Sequence, residues 1–155
     1  MKAKDIMSTE VPTISMRKTV ADAVRLLKSN FGDDSFRNAA PGLIVVNERG
    51  DLAGLCTPLL IITELLKISK LQPLPGVVDE EYLTSLCGQI RNLTVESVME
   101  RQAISVTEEA LVTDVANLFA THRFQRVPVV RGKKVVGIIY RARLMFAMTA
   151  CLIAE

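Results

Sequence analysis

Tryptophan is absent from this sequence, histidine occurs once, and Cys56, Cys87 and Cys151 stand too far apart to form a C-x-x-C pair. With one imidazole and widely spaced thiols, neither a structural zinc site nor a disulfide framework has a ligand set. Aromatic residues make up only 5% of the chain and are not interleaved with its basic residues. That excludes the base-stacking platforms of nucleic-acid binders. Charge of one sign is lacking too: the net value is +2, too small to drive binding to nucleic acid or an anionic membrane. The longest apolar stretches, "LLII" at 59–62 and "LMFAMTACLIA" at 144–154, are too short to span a bilayer. The opening "MKAKDIMSTEVP" has no apolar core of signal-peptide length, so a reducing, cytoplasmic location is expected. Catalysis finds no footing: there is no glycine-rich phosphate loop, metal-ligand cluster or carboxylate pair. His122 has no Cys or Ser partner at a spacing that would justify one, and we expect no enzyme.

What the chain does have is aliphatic residues and a repeat. Hydrophobic residues account for 49% and charged residues for 23%, a globular balance in a 155-residue chain. That length buries one sizeable core, or two small repeats sharing one. Displacing the sequence by 92 residues sets Met7 on Met99, Ile14 on Val106, Val20 on Val112, Asp22 on Asp114 and Leu27 on Phe119 without a gap. Val20, Ala23, Val24 and Leu27 recur at i, i+3, i+4 and i+7, and so do Val112, Val115, Ala116 and Phe119. Each set predicts one apolar helix face. Thr19 and Asp22 have capping-box spacing and start the first of these helices.

Two strand-like runs follow each helix. They are "GLIVVN" and "LAGLC" around Gly50 in the first copy, "RVPVVR" and "VVGIIY" around Gly132 in the second. A second helix closes each copy, from 58 to about 68 and roughly from 141 to 154. The first copy carries eight more residues between helix and strand, in the loop "FGDDSFRNAAPG" at 31–42. Between the copies, Tyr82, Leu83, Leu86 and Ile90 lie at helical spacing and predict an extra packed helix. The expected fold class is α+β: two β-α-β-β-α units, 1–68 and 95–155, joined by a linker at 69–94. Neither unit can hide its sheet alone, so the two should pack sheet to sheet.

This organisation resembles a tandem pair of cystathionine-β-synthase (CBS) domains, the arrangement called a Bateman module. The resemblance rests on "DIMSTEVPTISMRKTVADAVRLL" with "GLIVVNERGDLAGLCT", and on "SVMERQAISVTEEALVTDVANLF" with "RVPVVRGKKVVGII", and covers about four-fifths of the chain. It implies a pseudo-twofold axis and two clefts between the sheets. It implies adenosine ligands such as AMP, ADP, ATP or S-adenosylmethionine, bound for regulation without any required cofactor. It implies pairing of modules into a homodimer. In family members that bind nucleotide, the last strand runs into Gly, two apolar residues, Thr or Ser, two variable residues and Asp. The Asp reads the ribose hydroxyls. The Thr hydroxyl and the helix N-terminus face the phosphate, where the dipole favours an anion.

Neither copy keeps that pattern whole. The first reads Gly54, Leu55, Cys56, Thr57, Pro58, Leu59, Leu60, with leucine in the carboxylate position. Thr57 is also explained as a plain N-cap ahead of Pro58. The second reads Gly137, Ile138, Ile139, Tyr140, Arg141, Ala142, Arg143. Here Tyr140 could stack on a base or block the cleft, and Arg143 could grip a phosphate or carboxylate. Arg123 and Arg126 lie between helix and strand, where the family often places phosphate-binding residues; solvated loop charges are the alternative. Arg131, Lys133 and Lys134 flank a hairpin turn and belong to that alternative. By position, Thr13 and Ser105 would meet the adenine edge, while Leu43 to Val45 and Val127, Pro128 and Val129 would wall the base. The leading expectation is a regulatory sensor of an adenine nucleotide or other anionic metabolite, acting on a separate, unidentified protein. The rival is a ligand-free dimerisation or partner-binding module, favoured by Leu60, Tyr140 and the apolar tail.

Overall fold

The computed structural model describes residues 1–30, 41–71 and 76–154. A short helix α1 (Ala3–Ile6) precedes β1 (Thr13–Ser15), α2 (Val20–Asn30), β2 (Leu43–Val46), β3 (Leu52–Cys56) and α3 (Pro58–Lys70). After α4 (Glu80–Ile90), a second short helix α5 (Val95–Val98) leads into β4 (Val106–Thr107), α6 (Val112–His122), β5 (Arg126–Arg131), β6 (Lys134–Tyr140) and α7 (Arg141–Met148). The two expected β-α-β-β-α units are therefore present. Each contributes a three-stranded sheet, β1-β2-β3 and β4-β5-β6, whose first pair is parallel and second antiparallel. Both hairpins shift register at the same place, between Val45 and Val46 and between Val129 and Val130. Both turn on a glycine at positive φ, Gly50 at 79° and Gly132 at 62°, a conformation that costs other residues a Cβ clash.

Local chemistry explains the helix starts. Asp22 accepts from the Thr19 amide at 3.2 Å, and Thr19 Oγ1 accepts from the Asp22 amide at 3.2 Å, closing the capping box before α2. Asp79 caps α4 by accepting from the Tyr82 amide at 2.9 Å. The core faces differ slightly from the periodicity. Val20, Ala23, Leu86 and Ile90 are buried as expected, but Val24 and Leu83 face solvent. The last helix is shorter than the reading to 154. It ends at Met148, where the Thr149 hydroxyl turns back to the Met145 carbonyl at 2.7 Å, and a 3-10 turn (Ala150–Leu152) follows. A β-branched hydroxyl that bonds its own preceding turn competes with helix continuation.

Each copy lends its leading helix to the other. Ala3 and Ile6 of α1 are buried among Val106, Val112, Val115 and Ile139 of the second copy. Val95 and Val98 of α5 are buried among Ile14, Val20, Leu43 and Val45 of the first. Backbone bonds fix both transfers: Ala3 and Lys4 amides donate to Ala110 and Glu108 carbonyls at 2.8 and 3.0 Å, and Val95 and Glu96 amides to Lys18 and Met16 carbonyls at 2.8 and 3.0 Å. The residues just after each helix then pair with the other copy's last strand, Ser8 with Ile138 and Glu100 with Leu55. A glycine makes room in both cases. A Cβ on Gly54 would strike the Glu100 carbonyl oxygen, and one on Gly137 would strike the Met7 thioether.

A third apolar cluster joins the sheets face to face: Ile44 and Leu55 from the first, Ile138 and Tyr140 from the second. At its edge the hairpin turns meet, with Lys134 Nζ 3.0 Å from the Asp51 carboxylate and the Leu52 amide donating to the Lys133 carbonyl at 2.9 Å. The expectation for the loop at 31–42 falls mainly on residues outside those described.

Candidate functional site

The strand-to-helix joint of the first copy opens a cleft of about 370 Å³ against the second copy. Its first wall is Leu55, Thr57, Pro58 and Leu59, with Pro41 beside them; the second is Glu100, Arg123, Phe124, Gln125 and Arg126. The volume lies at the lower end of the range for small-molecule pockets, about 300–1,000 Å³.

Thr57 stands at the N-cap of α3 with extended backbone (φ −125°, ψ 161°), but its side chain caps nothing. Its hydroxyl is thus available to the cleft. Pro58 brings no N–H, and the Leu60 and Ile61 amides return to the Thr57 carbonyl at 3.1 and 3.3 Å. The Leu59 amide is the donor of this turn outside those bonds. No acidic residue occupies the first turn of α3, while Lys67 and Lys70 lie in the last, so the helix presents its positive end to the cleft undiluted.

Two arginines line the same cleft. Arg126 is 7% exposed; its Nη2 donates to the Pro41 carbonyl at 3.1 Å and to Gln125 Oε1 at 3.4 Å. Gly42 lies flat against the guanidinium, and any side chain there would collide with it. Burial pulls the Arg126 pKa below its ordinary value, with Tyr140 opposing; an arginine still keeps its charge. Arg123 is the one described non-glycine residue with positive φ (56°, ψ 38°), terminating α6 in the left-handed conformation that glycine usually takes. Such strain survives only where surrounding structure or function holds it. Beside it His122, exposed at the helix end, stacks on Phe124 at 4.9 Å and 15°.

The structure therefore brings Thr57, Arg123 and Arg126 together. The other expected residues lie elsewhere. Tyr140 is 4% exposed in the inter-sheet cluster, filling space between the sheets. Arg143 donates from Nε to the Ile6 carbonyl at 2.8 Å and so ties the borrowed helix α1 to α7. Arg141 borders a different, apolar groove of about 380 Å³ with Phe119, Leu144, Met145 and Met148. Thr13 borders a shallow depression of about 360 Å³ with Ser15, Lys18 and Arg25. Ser105 is half-buried ahead of β4. Leu43 and Val45 point into their own copy's helical core, as does Val127, while Ile44 between them faces the other sheet. Pro128 is fully buried opposite Ile138.

One lining residue escaped sequence reasoning. Glu100 belongs to the segment after α5, and only its pairing with Leu55 carries it into the first copy's cleft. No short-range pattern announces such a placement.

No helix among the described residues is long and apolar enough to cross a membrane. Comparison with known proteins agrees with the repeat. The sequence model of the CBS domain matches residues 3–67 and 95–150. The CBS domain-containing protein YhcV of Bacillus subtilis is 26% identical over 136 residues, covering 88% of this chain and 77% of its own length. A CBS domain-containing protein of unknown function from Kribbella flavida superposes with a TM-score of 0.74 at 24% identity, covering 96% of this chain and 99% of that one. CBSX2, solved in complex with AMP, gives 0.70 at 20% identity, covering 97% and 98%. The CBS domain pair of protein MJ0100, solved with 5′-methylthioadenosine and S-adenosyl-L-methionine, gives 0.69 at 22%, covering 97% and 98%. With both copies matched and the paired architecture in common, this chain belongs to the CBS domain family as a tandem pair.

Proposed function

We propose that the chain is a non-catalytic regulatory module whose cleft at Thr57, Arg123 and Arg126 binds an adenine nucleotide or a related anionic adenosyl metabolite. The observation that carries this reading is the meeting of an uncapped helix N-terminus with two arginines from the other copy across one small cleft. A phosphate there gains from the helix dipole, the Leu59 amide, the Thr57 hydroxyl and guanidinium contacts at once. Because the walls come from both copies, a bound ligand draws the copies together, and that is the physical means of signalling to a separate protein. The adenosyl ligands of CBSX2 and MJ0100 support the ligand class.

The test is a thermal-shift titration with AMP, ADP, ATP and S-adenosylmethionine. A ligand at a hundred times its Kd adds about 2.7 kcal/mol to the native state. One of the four should raise the midpoint saturably, and Arg123→Ala or Thr57→Ala should abolish the rise. No rise with any of them would turn the assignment to a ligand-free dimerisation module.

That second reading has its own observation. Leu59, Ile62 and Leu66 on α3, and Met145, Phe146 and Met148 on α7, are at least 39% exposed. Apolar helix faces of this size suit a homodimer interface. A molar mass of one chain by light scattering at micromolar concentration would count against it.

A further inference from the structure

The groove between α6 and α7 lies open where the first copy is covered. It measures about 380 Å³ and is walled by Ala116, Phe119, Ala120, Leu144, Met145 and Met148, with Arg141 lining it as well. Because Tyr140 aligns with Thr57, Leu144 and Met148 of α7 match Ile61 and Leu65 of α3, and Phe119 of α6 matches Leu27 of α2. In the first copy the amphipathic helix α4 packs against α3. Its Leu86 and Ile90 are buried, and Ile90 joins the core cluster of Ile61, against which Leu27, Leu65 and Ile68 pack. The Tyr82 hydroxyl shares a hydrogen bond with Ser69 of α3 at 2.8 Å. Leu65 is half-buried in that setting, whereas the matching Met148 is 49% exposed. Among the described residues, no helix matching α4 precedes α1 to cover the second copy.

The chemistry of the groove narrows what fits it. Two of its walls are methionines, whose flexible thioethers adapt to varied apolar side chains. Arg141 opens α7 at the end where the helix dipole opposes a cation, and α7 holds no acidic residue. Among the described residues Arg141 enters no ion pair, so an incoming carboxylate relieves its charge. A second copy does not supply that set. Its exposed apolar stripe on α3, Leu59, Ile62 and Leu66, is accompanied by one carboxylate, Glu64, which lies 3.7 Å from Lys67. We propose that this groove docks an amphipathic helix of a separate protein. That helix carries apolar side chains at i and i+4, as α4 does with Leu86 and Ile90, and a carboxylate for Arg141. The inference stands whatever ligand the cleft takes.

The experiment is fluorescence anisotropy of a labelled, side-chain-stapled peptide of residues 79–90, with Cys87→Ser, titrated with the full chain. The peptide brings the Leu86 and Ile90 pair and the acidic first turn of Glu80 and Glu81. Binding should be saturable. Ala120→Arg, at an exposed wall position, should abolish it. Arg141→Glu should weaken it about tenfold, the scale of one hydrogen bond between charged groups, and a Glu80→Lys, Glu81→Lys peptide should restore the loss. Circular dichroism checks that both variants fold. No saturable binding would overturn the proposal. So would equal binding by the parent and Ala120→Arg, which would mean that the peptide only displaces α4. Equal binding by Arg141→Glu would overturn the carboxylate requirement. A parent that is dimeric by light scattering, and monomeric as Ala120→Arg, would overturn the separate partner in favour of a second copy.

Discussion

Leu55 and Glu100 exchange two backbone hydrogen bonds, at 3.0 and 2.9 Å, although they belong to different copies of the repeat. Gly54 permits this contact, because the Glu100 carbonyl sits where a Cβ would be; at the matching Gly137 the obstacle is the Met7 side chain. A backbone oxygen held by hydrogen bonds cannot retreat, whereas a thioether can rotate. Gly54→Ala should therefore cost about 2–3 kcal/mol and Gly137→Ala about 1 kcal/mol, within the usual span for overpacking. Urea denaturation of the two variants checks the order; equal costs would mean that the two junctions yield alike.

The borrowed helix α1 is fastened by charge, and its hold depends on acid. Hydrogen bonds from Lys2 and then Lys4 hold the Glu109 carboxyl down to about 2, from an ordinary 4.5. A carboxyl lowered on folding adds stability above its ordinary pKa and loses it as pH falls through the folded value. The contribution should be intact above pH 4.5 and vanish towards pH 2. Glu109→Gln should flatten the acid limb of the urea midpoint against pH, and amide exchange at Ala3 and Lys4 should quicken in that window for the parent only.

Arg123 pays for its place in the cleft with a left-handed backbone. Arg123→Gly removes a penalty of about 1 kcal/mol, part of it returned through the freer unfolded chain. The midpoint of thermal unfolding should rise by roughly 2–4 °C, while any AMP-dependent shift disappears. A lower midpoint would show that the arginine side chain contributes more to folding than its backbone costs.

The three thiols should separate by access. Cys56 is fully buried and burial pushes its pKa from 9.0 up to about 11, whereas Cys87 and Cys151 are exposed. Ellman's reagent should titrate two thiols in the native chain and the third only after unfolding. The raised value also means that Cys56 supports the fold below pH 9 and loses that support as pH climbs toward 11.

The repeat itself was legible because helix and strand periods leave long imprints: the strands at 52–56 and 126–131 and the start of α2 fall where the pattern puts them. What the pattern missed shares one cause. Helices α1 and α5 are four residues each, too short for any periodicity, and their partners lie in the other copy. The same long-range transfer decides that Arg143 meets Ile6 and that Glu100 enters the first cleft. Tyr140 and Thr57 occupy equivalent positions, yet one ring is swallowed by the sheet interface and one hydroxyl is left at a cleft. Side-chain size, invisible to a repeat alignment, sends them different ways.

The traded helices also impose an order on synthesis. Residues Ala3 and Ile6 are made well before Val112 and Ile139, which bury them. The first copy likewise waits for Val95 and Val98 before its own core can close. On the ribosome, then, the leading segment must stay solvent-bound while the rest of the chain emerges, and closure comes late and all at once. A nascent chain halted before α5 should be readily cut by protease, and one carried past β6 should resist it. The two halves share one topology, and the trade ensures that neither half matures alone.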